Sequence, residues 1–484
     1  MRRLSLAIAL CLPLAALAQL SPETEKAIDA LVEKQLALSG EPSISIAIGK
    51  DGKVAFAKAY GNARLSPPLP ATADMRYKIG SVTKQFVAAG ILLLVQDGKL
   101  SLDDKVATFF PQLSGAREVS VRQLLGHTAG YVDYYPLEYA PPEMALPTTA
   151  DKIMNKYGRK PLAFKPGTRW DYSNTNYVIA GRILEKVSGQ SLEQFLRERI
   201  TAKLGMASAI DLDHADLGPG DPLGYERNAL GPLRVPKAEG KGWTFAAGHF
   251  AMTPSDLVRW DLALIDNTIL SKASRDALTE EIVVPGRDDT NYGLGIAVDV
   301  TPEGRARWSH GGGVAGFMSR NLVYPAEGLA IAILTNTADF RLAGNVEGAL
   351  EALLLPPAPA APAAPEPAPA AAAAAAPAPS AAAVRDREQA RAMFRELQAG
   401  KPARTRMTSD LARYLSGQVL ADMQSSLAPK GAITSIDQLM EEDKAGMTMR
   451  IFRIKTSGGD LSVIGMFTKA GKLAQYTVYG KQGQ

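Results

Sequence analysis

The chain of 484 residues is long enough for several domains, and its 46% hydrophobic and 21% charged residues are typical of folded globular proteins. Its net charge of +4 arises from 54 Lys and Arg residues against 50 Asp and Glu residues spread along the sequence. Because a nucleic-acid surface needs concentrated basic residues, we expect no DNA or RNA partner.

Residues 1–18 have the pattern of an export signal. Two arginines precede the apolar stretch 4–15, and residues 16–18 have the small-x-small pattern that signal peptidases cut. We therefore expect a periplasmic or secreted protein that loses Cys11, its only cysteine. The stretch is too short for a permanent transmembrane helix, and Leu10 is too bulky for a lipoprotein cleavage site, so no integral membrane anchor is expected. A cytosolic protein with an apolar first helix is the alternative.

Residues 19–355 are predicted to form one α/β domain. A helical pattern opens it, followed by two alternating strands that a turn at Asp51-Gly52 joins. Strand patterns return near the end of the segment, and the region between the two groups is mostly helical. These elements are a helix at 23–38, strands at 43–48, 54–59, 292–300, 305–310, 318–324 and 329–334, and a helix at 342–355. We expect an antiparallel sheet from both chain ends plus an all-helical subdomain.

Residues 356–384 are predicted to be a linker. From 356 to 383 the chain contains 9 Pro and 17 Ala in 28 residues, a composition that cannot form a packed core and that favours an extended, semi-independent connection. Residues 385–484 then predict a small α+β domain. Its elements are helices at 385–398 and 409–427 and a three-stranded meander at 447–455, 461–468 and 473–479.

The first candidate for chemistry is Ser81-Val82-Thr83-Lys84, which opens the apolar helical run 85–96. At this spacing Ser81 and Lys84 face the same side of a helix. The helix N-terminus disfavours a cation, which lowers the lysine pKa, and a neutral amine can accept the proton of the hydroxyl. Because Ser-x-x-Lys is expected by chance about twice in a chain of this length, its place at a helix start carries the argument.

The second candidate is Tyr172-Ser173-Asn174, which precedes an amphipathic helix ending near Gly189. A phenol near a lysine can hold a depressed pKa and move protons, and an asparagine amide can orient both the lysine and a substrate carbonyl. Tyr60-Gly61-Asn62 has the same pattern, but it lies at a strand end and is interpreted as structural.

The third candidate is Ser309-His310-Gly311-Gly312-Gly313, at the end of a predicted strand. Glycines allow a substrate to approach the strand edge, and a free backbone N–H there can stabilise an oxyanion.

Together these three elements resemble the serine β-lactamase and penicillin-binding protein family, particularly its class C-like branch of D-Ala-D-Ala carboxypeptidases, D-aminopeptidases and esterases. The resemblance extends over residues 23–355 and implies a β-lactamase/transpeptidase-like fold. Supporting stretches lie at 98–104, 123–128, 247–248 and 253–257. The C-terminal domain resembles cystatin-like or nuclear-transport-factor-like modules in shape alone; self-association, substrate docking and stabilisation are all open roles for it.

The resemblance implies a role for each candidate residue. Ser81 would be the acylated nucleophile and Lys84 its proton acceptor. Tyr172 would protonate the leaving group and activate the deacylating water, and Asn174 would hold the substrate. The backbone N–H groups of Ser81 and Gly313 would form the oxyanion hole.

One departure from the family pattern concerns substrate choice. The family's Lys-Thr-Gly is His310-Gly311-Gly312 here, which replaces a fixed charge with a group that titrates near pH 6.5 unless its surroundings shift its pKa. A weaker grip on a substrate carboxylate is expected. We therefore expect a secreted serine hydrolase acting through an acyl-enzyme on small peptides, amides or esters, including those with D-amino acids. A β-lactamase or D-Ala-D-Ala carboxypeptidase proper, and a non-catalytic ligand sensor of the same fold, are the alternatives.

No cofactor is expected. Four widely spaced histidines and a mature chain without cysteine do not predict a zinc site. His127 and His214 are interpreted as structural or surface residues, and His249 as a packing residue. The loop 131–147 predicts either an aromatic wall for substrate or ordinary packing; its tyrosines are Tyr131, Tyr134, Tyr135 and Tyr139.

Overall fold

The computed structural model describes residues 19–287, 289–355 and 379–480. The predicted export signal and most of the predicted linker lie outside these residues. We refer to residues 19–355 as the N-terminal domain and to residues 379–480 as the C-terminal domain. Within the described ranges, no helix has the length and apolarity needed to cross a membrane.

The N-terminal domain is built on a seven-stranded antiparallel sheet. Its strands, with short ones elsewhere in the domain, are β1 (Ser43–Lys50), β2 (Lys53–Leu65), β3 (Pro68–Pro70), β4 (Tyr77–Lys78), β5 (Ile210–Asp211), β6 (Glu226–Arg227), β7 (Leu233–Arg234), β8 (Phe250–Met252), β9 (Ala297–Val300), β10 (Ala306–Val314), β11 (Phe317–Tyr324) and β12 (Leu329–Thr335). The strand order is β3-β2-β1-β12-β11-β10-β9. Pairing of β1 with β12 joins the two ends of the domain, which confirms the predicted sheet.

The helices of this domain are α1 (Pro22–Ser39), α2 (Thr83–Gln96), α3 (Val106–Phe109), α4 (Val121–Leu125), α5 (Ala150–Ile153), α6 (Asn174–Ser188), α7 (Leu192–Leu196), α8 (Phe245–Gly248), α9 (Pro254–Ile265), α10 (Lys272–Thr279) and α11 (Phe340–Leu354). Helices α1 and α11 pack on one face of the sheet and α9 packs on the other, whereas most of the remaining helices form the helical subdomain. Ile44 and Ile46 of β1 point to the core beneath α1 and α11, whereas Ala47 belongs to the core on the opposite face. Because both faces are covered, β1 is buried almost throughout.

Helix α2 runs through the centre of the all-helical subdomain. Every residue from Thr83 to Leu94 is buried, as expected for a helix that is apolar on all sides. The 3-10 turn that precedes it, Gly80–Val82, packs against β10, so the Ser81–Lys84 segment lies at the border between the sheet and the helical subdomain.

The C-terminal domain has one strand more than predicted. Its helices are α12 (Ala381–Gln398), α13 (Ser409–Tyr414) and α14 (Gly417–Leu427), and its antiparallel strands are β13 (Ile433–Lys444), β14 (Met447–Thr456), β15 (Gly459–Phe467) and β16 (Leu473–Gly480). The sequence missed β13 because Ile436 is its only buried residue, so the strand shows no apolar alternation. The resemblance to cystatin-like modules stays a prediction.

The two domains are in contact, whereas the linker composition predicted semi-independent motion. Asp422 of α14 pairs with Arg234 at 2.6 Å and accepts a hydrogen bond from Asn228. Tyr139 stacks on Tyr414 with ring centroids 4.3 Å apart. Tyr139 therefore serves the domain interface, not an aromatic wall for substrate.

Candidate active site

Ser81 and Lys84 lie where the sequence predicted, at the start of the central helix. Ser81 occupies a single 3-10 turn, Gly80–Val82, directly before α2. The Nζ atom of Lys84 lies 2.9 Å from Ser81 Oγ, 2.9 Å from Asn174 Oδ1 and 2.8 Å from the carbonyl oxygen of Ala247. A protonated amine donates to all three of these oxygens. Once it is neutral, it can keep the bonds to Asn174 and Ala247 and accept the Ser81 hydroxyl hydrogen with its lone pair.

Burial explains why the amine of Lys84 loses its charge easily. The side chain is fully buried, and this lowers its pKa from 10.5 to about 7. The negative charge of Asp133 acts in the opposite direction and limits the fall. Near neutral pH, a large share of the molecules therefore holds a proton acceptor beside Ser81.

Tyr172 lies against both of these residues. The Nζ atom of Lys84 is 5.0 Å from the centroid of the Tyr172 ring, and the Tyr172 hydroxyl is hydrogen-bonded to Ser81. Burial raises the pKa of Tyr172 above its usual range, which is opposite to the predicted depression. Tyr172 is thus neutral and can donate a proton, whereas the readily deprotonated group beside Ser81 is Lys84.

Asn174 is held in place by Asp133, a residue that no sequence motif marks as functional. The Oδ1 atom of Asp133 accepts the backbone N–H of Asn174 at 3.0 Å, and its Oδ2 accepts the side-chain amide at 3.3 Å. The carbonyl oxygen of Tyr135 accepts the same amide. These contacts orient the amide of Asn174 so that its oxygen faces Lys84. Asp133 lies 41 residues earlier in the chain and belongs to no local motif.

His127 packs against the ring of Tyr172 and is hydrogen-bonded to the backbone of the next residue. Its ring centroid is 4.2 Å from that of Tyr172, and its Nδ1 accepts the backbone N–H of Ser173 at 3.2 Å. This bond assigns the hydrogen to Nε2. Burial lowers the pKa of His127 well below its ordinary value, so the ring is neutral. His127 is a structural residue, as predicted, but one that contacts the site.

His310 is neutral, because its surroundings shift its pKa well away from the ordinary value near 6.5. Burial, followed by the nearby charge of Lys84, lowers its pKa to about 3. Both ring nitrogens have protein partners. Nδ1–H donates to the carbonyl oxygen of Gly311 at 2.6 Å, and Nε2 accepts from the hydroxyl of Tyr292 at 2.9 Å. A cationic His310 that holds a substrate carboxylate is therefore the wrong picture.

The glycines that follow His310 allow β10 to pack against the Ser81 turn. A Cβ atom on Gly312 would lie 1.9 Å from the carbonyl oxygen of Ile79, and one on Gly80 would lie 2.9 Å from the backbone nitrogen of Gly313. Gly80 also has a φ of +49°. This close approach brings Gly313 beside Ser81, where the predicted pair of oxyanion donors would have to lie.

A pocket of about 720 Å³ opens over these residues. Ser81, Tyr172, His310 and Gly311 form part of its lining, and residues 442–444 of the C-terminal domain form another part. Its volume falls within the range of about 300–1,000 Å³ that is usual for small-molecule sites. Within the described ranges, no cluster of three or more His, Cys, Asp or Glu side chains is arranged to hold a metal ion.

The fold and the arrangement of Ser81, Lys84, Tyr172 and Asn174 agree with the result of a comparison with known protein families. The β-lactamase family model matches residues 28–354, and the chain belongs to that family, whose members are serine hydrolases.

One curated protein and two solved structures illustrate what the chain is similar to. Protein flp of Staphylococcus aureus (strain MRSA252) is 29% identical over 257 residues, which cover 50% of this chain and 49% of that protein. The chain thus spans about half the length of this curated relative. The crystal structure of a D-amino acid amidase from Ochrobactrum anthropi SV3 with D-phenylalanine aligns at a TM-score of 0.60 with 26% identity, covering 68% of this chain and 99% of that one. An octameric penicillin-binding protein homologue from Pyrococcus abyssi aligns over 94% of this chain and 99% of its own, at a TM-score of 0.62 and 21% identity, which shows the fold alone.

Proposed function

We propose that the protein is a periplasmic or secreted serine hydrolase that forms an acyl-enzyme on Ser81 with small peptides, amides or esters, including those of D-amino acids. The observation that carries the proposal is the buried Lys84 amine, 2.9 Å from Ser81 Oγ, with a pKa lowered to about 7. A nucleophile activated by an adjacent neutral base is the arrangement that covalent catalysis requires. Likeness to a D-amino acid amidase supports the substrate class, and the pattern of residues 1–18 supports export.

The geometry supports a proton path in two stages. Lys84 takes the Ser81 proton as Oγ attacks the carbonyl carbon, and the N–H groups of Ser81 and Gly313 hold the oxyanion. Tyr172 gives its phenolic proton to the leaving group as the scissile bond breaks, and the proton on Lys84 then restores the phenol. In the second stage, a water loses its proton to Lys84 by way of Tyr172 and attacks the ester carbon, and Ser81 leaves as it regains its proton.

The state of His310 bears on the choice between substrates. Penicillins and cell-wall stem peptides carry a carboxylate, and a neutral imidazole whose two nitrogens are already bonded offers it no charge. This favours amides and esters without that carboxylate over the alternative of a β-lactamase or D-Ala-D-Ala carboxypeptidase. The other alternative, a ligand sensor of the same fold, would be acylated once and then stop.

A substrate panel tests the proposal. Nitrocefin, D-alanine p-nitroanilide and p-nitrophenyl butyrate are assayed with the wild type, with Ser81→Ala and with the control Ser188→Ala, which changes a serine at the far end of α6. We expect repeated turnover of the anilide or the ester by the wild type and the control, and none by Ser81→Ala. Faster turnover of nitrocefin would support the lactamase alternative, and equal rates for all three proteins would remove Ser81 from the mechanism.

Self-association through the C-terminal domain stays a prediction. Size-exclusion chromatography with light scattering on the intact chain and on residues 19–355 measures it directly.

A further inference from the structure

The pocket over Ser81 has a wall that comes from the other domain. Strands β13 and β14 form a hairpin whose turn is Ala445-Gly446, both at positive φ, 51° and 75°. Such a turn fits the twist of a two-residue hairpin, so the tip is narrow and well defined. Glu442, Asp443 and Lys444, which precede the turn, line the same pocket as Ser81 and Tyr172.

The tip is attached to the segment that carries Tyr172. The backbone N–H of Ala445 donates to Asp171 Oδ1 at 3.1 Å, and Asp171 precedes the catalytic phenol. Arg169 donates to the carbonyl oxygen of Asp443 at 3.3 Å, and its guanidinium lies 4.0 Å from the Asp443 carboxylate. The contact is thus polar, with charges on both sides, and it involves backbone as well as side chains.

The rest of the C-terminal domain fixes where the hairpin can reach. Asp422 makes a two-pronged pair with Arg234, donated by Nε at 2.6 Å and by Nη2 at 2.8 Å. The stacked Tyr139 and Tyr414 rings and a bond from the backbone N–H of Glu138 to the side chain of Gln475 lie at the same interface. Anchors at several points restrict a swing of the hairpin away from the pocket.

We propose that the β13–β14 hairpin limits the length of the substrate. Residues 442–444 are part of the pocket lining, so a chain bound with its scissile bond at Ser81 that runs toward them must end before it reaches them. An extended peptide needs about 3.3–3.6 Å for each residue, and a pocket of about 720 Å³ holds only a few residues. The hydrolase therefore prefers short peptides and amides over polymers. This inference rests on the proposed function and assigns the C-terminal domain its role in it.

A shortened hairpin tests the proposal. Deletion of Asp443, Lys444, Met447 and Thr448 removes two cross-strand pairs and keeps the turn. Because two residues leave each strand, the remaining side chains keep their faces, and the tip moves back by about 6–7 Å. The kcat/KM values for D-alanine p-nitroanilide and for anilides of D-alanyl dipeptides to pentapeptides are compared. We expect the ratio of the longest to the shortest substrate to rise at least tenfold over that of the wild type. An unchanged ratio would overturn the proposal.

Two further variants serve as a substitute for the deletion and as a control. If the shortened chain does not fold, the triple change Glu442→Ala, Asp443→Ala and Lys444→Ala removes the wall side chains at constant hairpin length, and the same rise in the ratio is expected. Asp437→Ala, in an exposed part of β13 away from the pocket, is the control and should leave the ratio as in the wild type. Labelling of Ser81 by a fluorescent phosphonate separates the two claims. If the wild type is labelled but the hairpin variants have the same substrate-length ratio as the wild type, only the role of the hairpin is refuted. If the wild type is not labelled, the proposed function itself is refuted.

Discussion

Burial of Lys84 should make the stability of the N-terminal domain depend on pH in a defined direction. Its pKa is 10.5 when exposed and about 7 in the folded protein. Between these values the unfolded chain holds a proton that the native state has lost, so the free energy of unfolding rises with pH. Below about pH 7 Lys84 is protonated in both states, so its contribution to the free energy of unfolding no longer changes with pH and is at its least favourable.

Lys84→Met removes the titrating group and keeps a long, unbranched, helix-favouring side chain. One pKa unit corresponds to about 1.4 kcal/mol, so from pH 7 to pH 9.5 the wild type should gain about 3 kcal/mol of unfolding free energy relative to Lys84→Met. Lys84→Met also loses the hydrogen bonds to Asn174 and Ala247, which lowers its free energy of unfolding by about the same amount at both pH values. Other titrating groups, such as the largely buried Lys78, are present in both proteins, so their pH-dependent contributions cancel in the difference between the wild type and Lys84→Met.

Urea unfolding followed by tryptophan fluorescence measures this difference. All 4 tryptophans lie in the N-terminal domain, so the signal reports on the domain that contains Lys84; they are Trp170, Trp243, Trp260 and Trp308. Lys99→Met, which changes an exposed lysine just beyond the other end of α2, should follow the wild type. Parallel pH profiles for the wild type and Lys84→Met would mean that the amine keeps its ordinary pKa and that burial does not lower it.

Three further outcomes concern the residues around Lys84. Tyr172→Phe should still be labelled at Ser81 but should lose about 10²–10⁴-fold in kcat, because no proton reaches the leaving group; unchanged turnover would remove the phenol from the mechanism. Asp133→Asn should raise KM and lower kcat together by misorienting Asn174, and an activity equal to that of the wild type would exclude this positioning role. His310→Gln should leave the pH dependence of KM for acidic substrates as it is in the wild type, because the imidazole is neutral throughout the range 5 to 8, whereas Lys84 titrates there in both proteins; a rise of KM with pH that is present in the wild type and absent in His310→Gln would show a cationic imidazole.

Local motifs made much of the site predictable from the sequence. Ser81 lies in the 3-10 turn that leads into α2 and Lys84 lies in the first turn of α2, whereas Tyr172 lies two residues before Asn174, the first residue of α6. Each pair is therefore positioned by one local segment. The alternating patterns of β1, β2 and β10 to β12 likewise predicted the sheet, since each has a buried face.

Features that depend on distant parts of the chain were not predictable in this way. Asp133 acts on Asn174 across a loop, and the neutral state of His310 follows from burial among residues that its own strand does not reveal. The polar strand β13 gave no periodic signal, although its tip reaches the pocket. Contact between the domains depends on the fit of surfaces such as Tyr139 on Tyr414, which composition cannot show.

The rate at which a neutral phosphonate or p-nitrophenyl ester acylates Ser81, measured against pH, tests most directly whether Lys84 is the base. We expect a rate that rises with pH to a plateau with its midpoint near pH 7, because the uncharged amine is the active form. We also expect Lys84→Ala to lose several orders of magnitude in this rate. A wild-type rate independent of pH between 5 and 9, or a loss of less than tenfold in Lys84→Ala, would show that Lys84 is not the base.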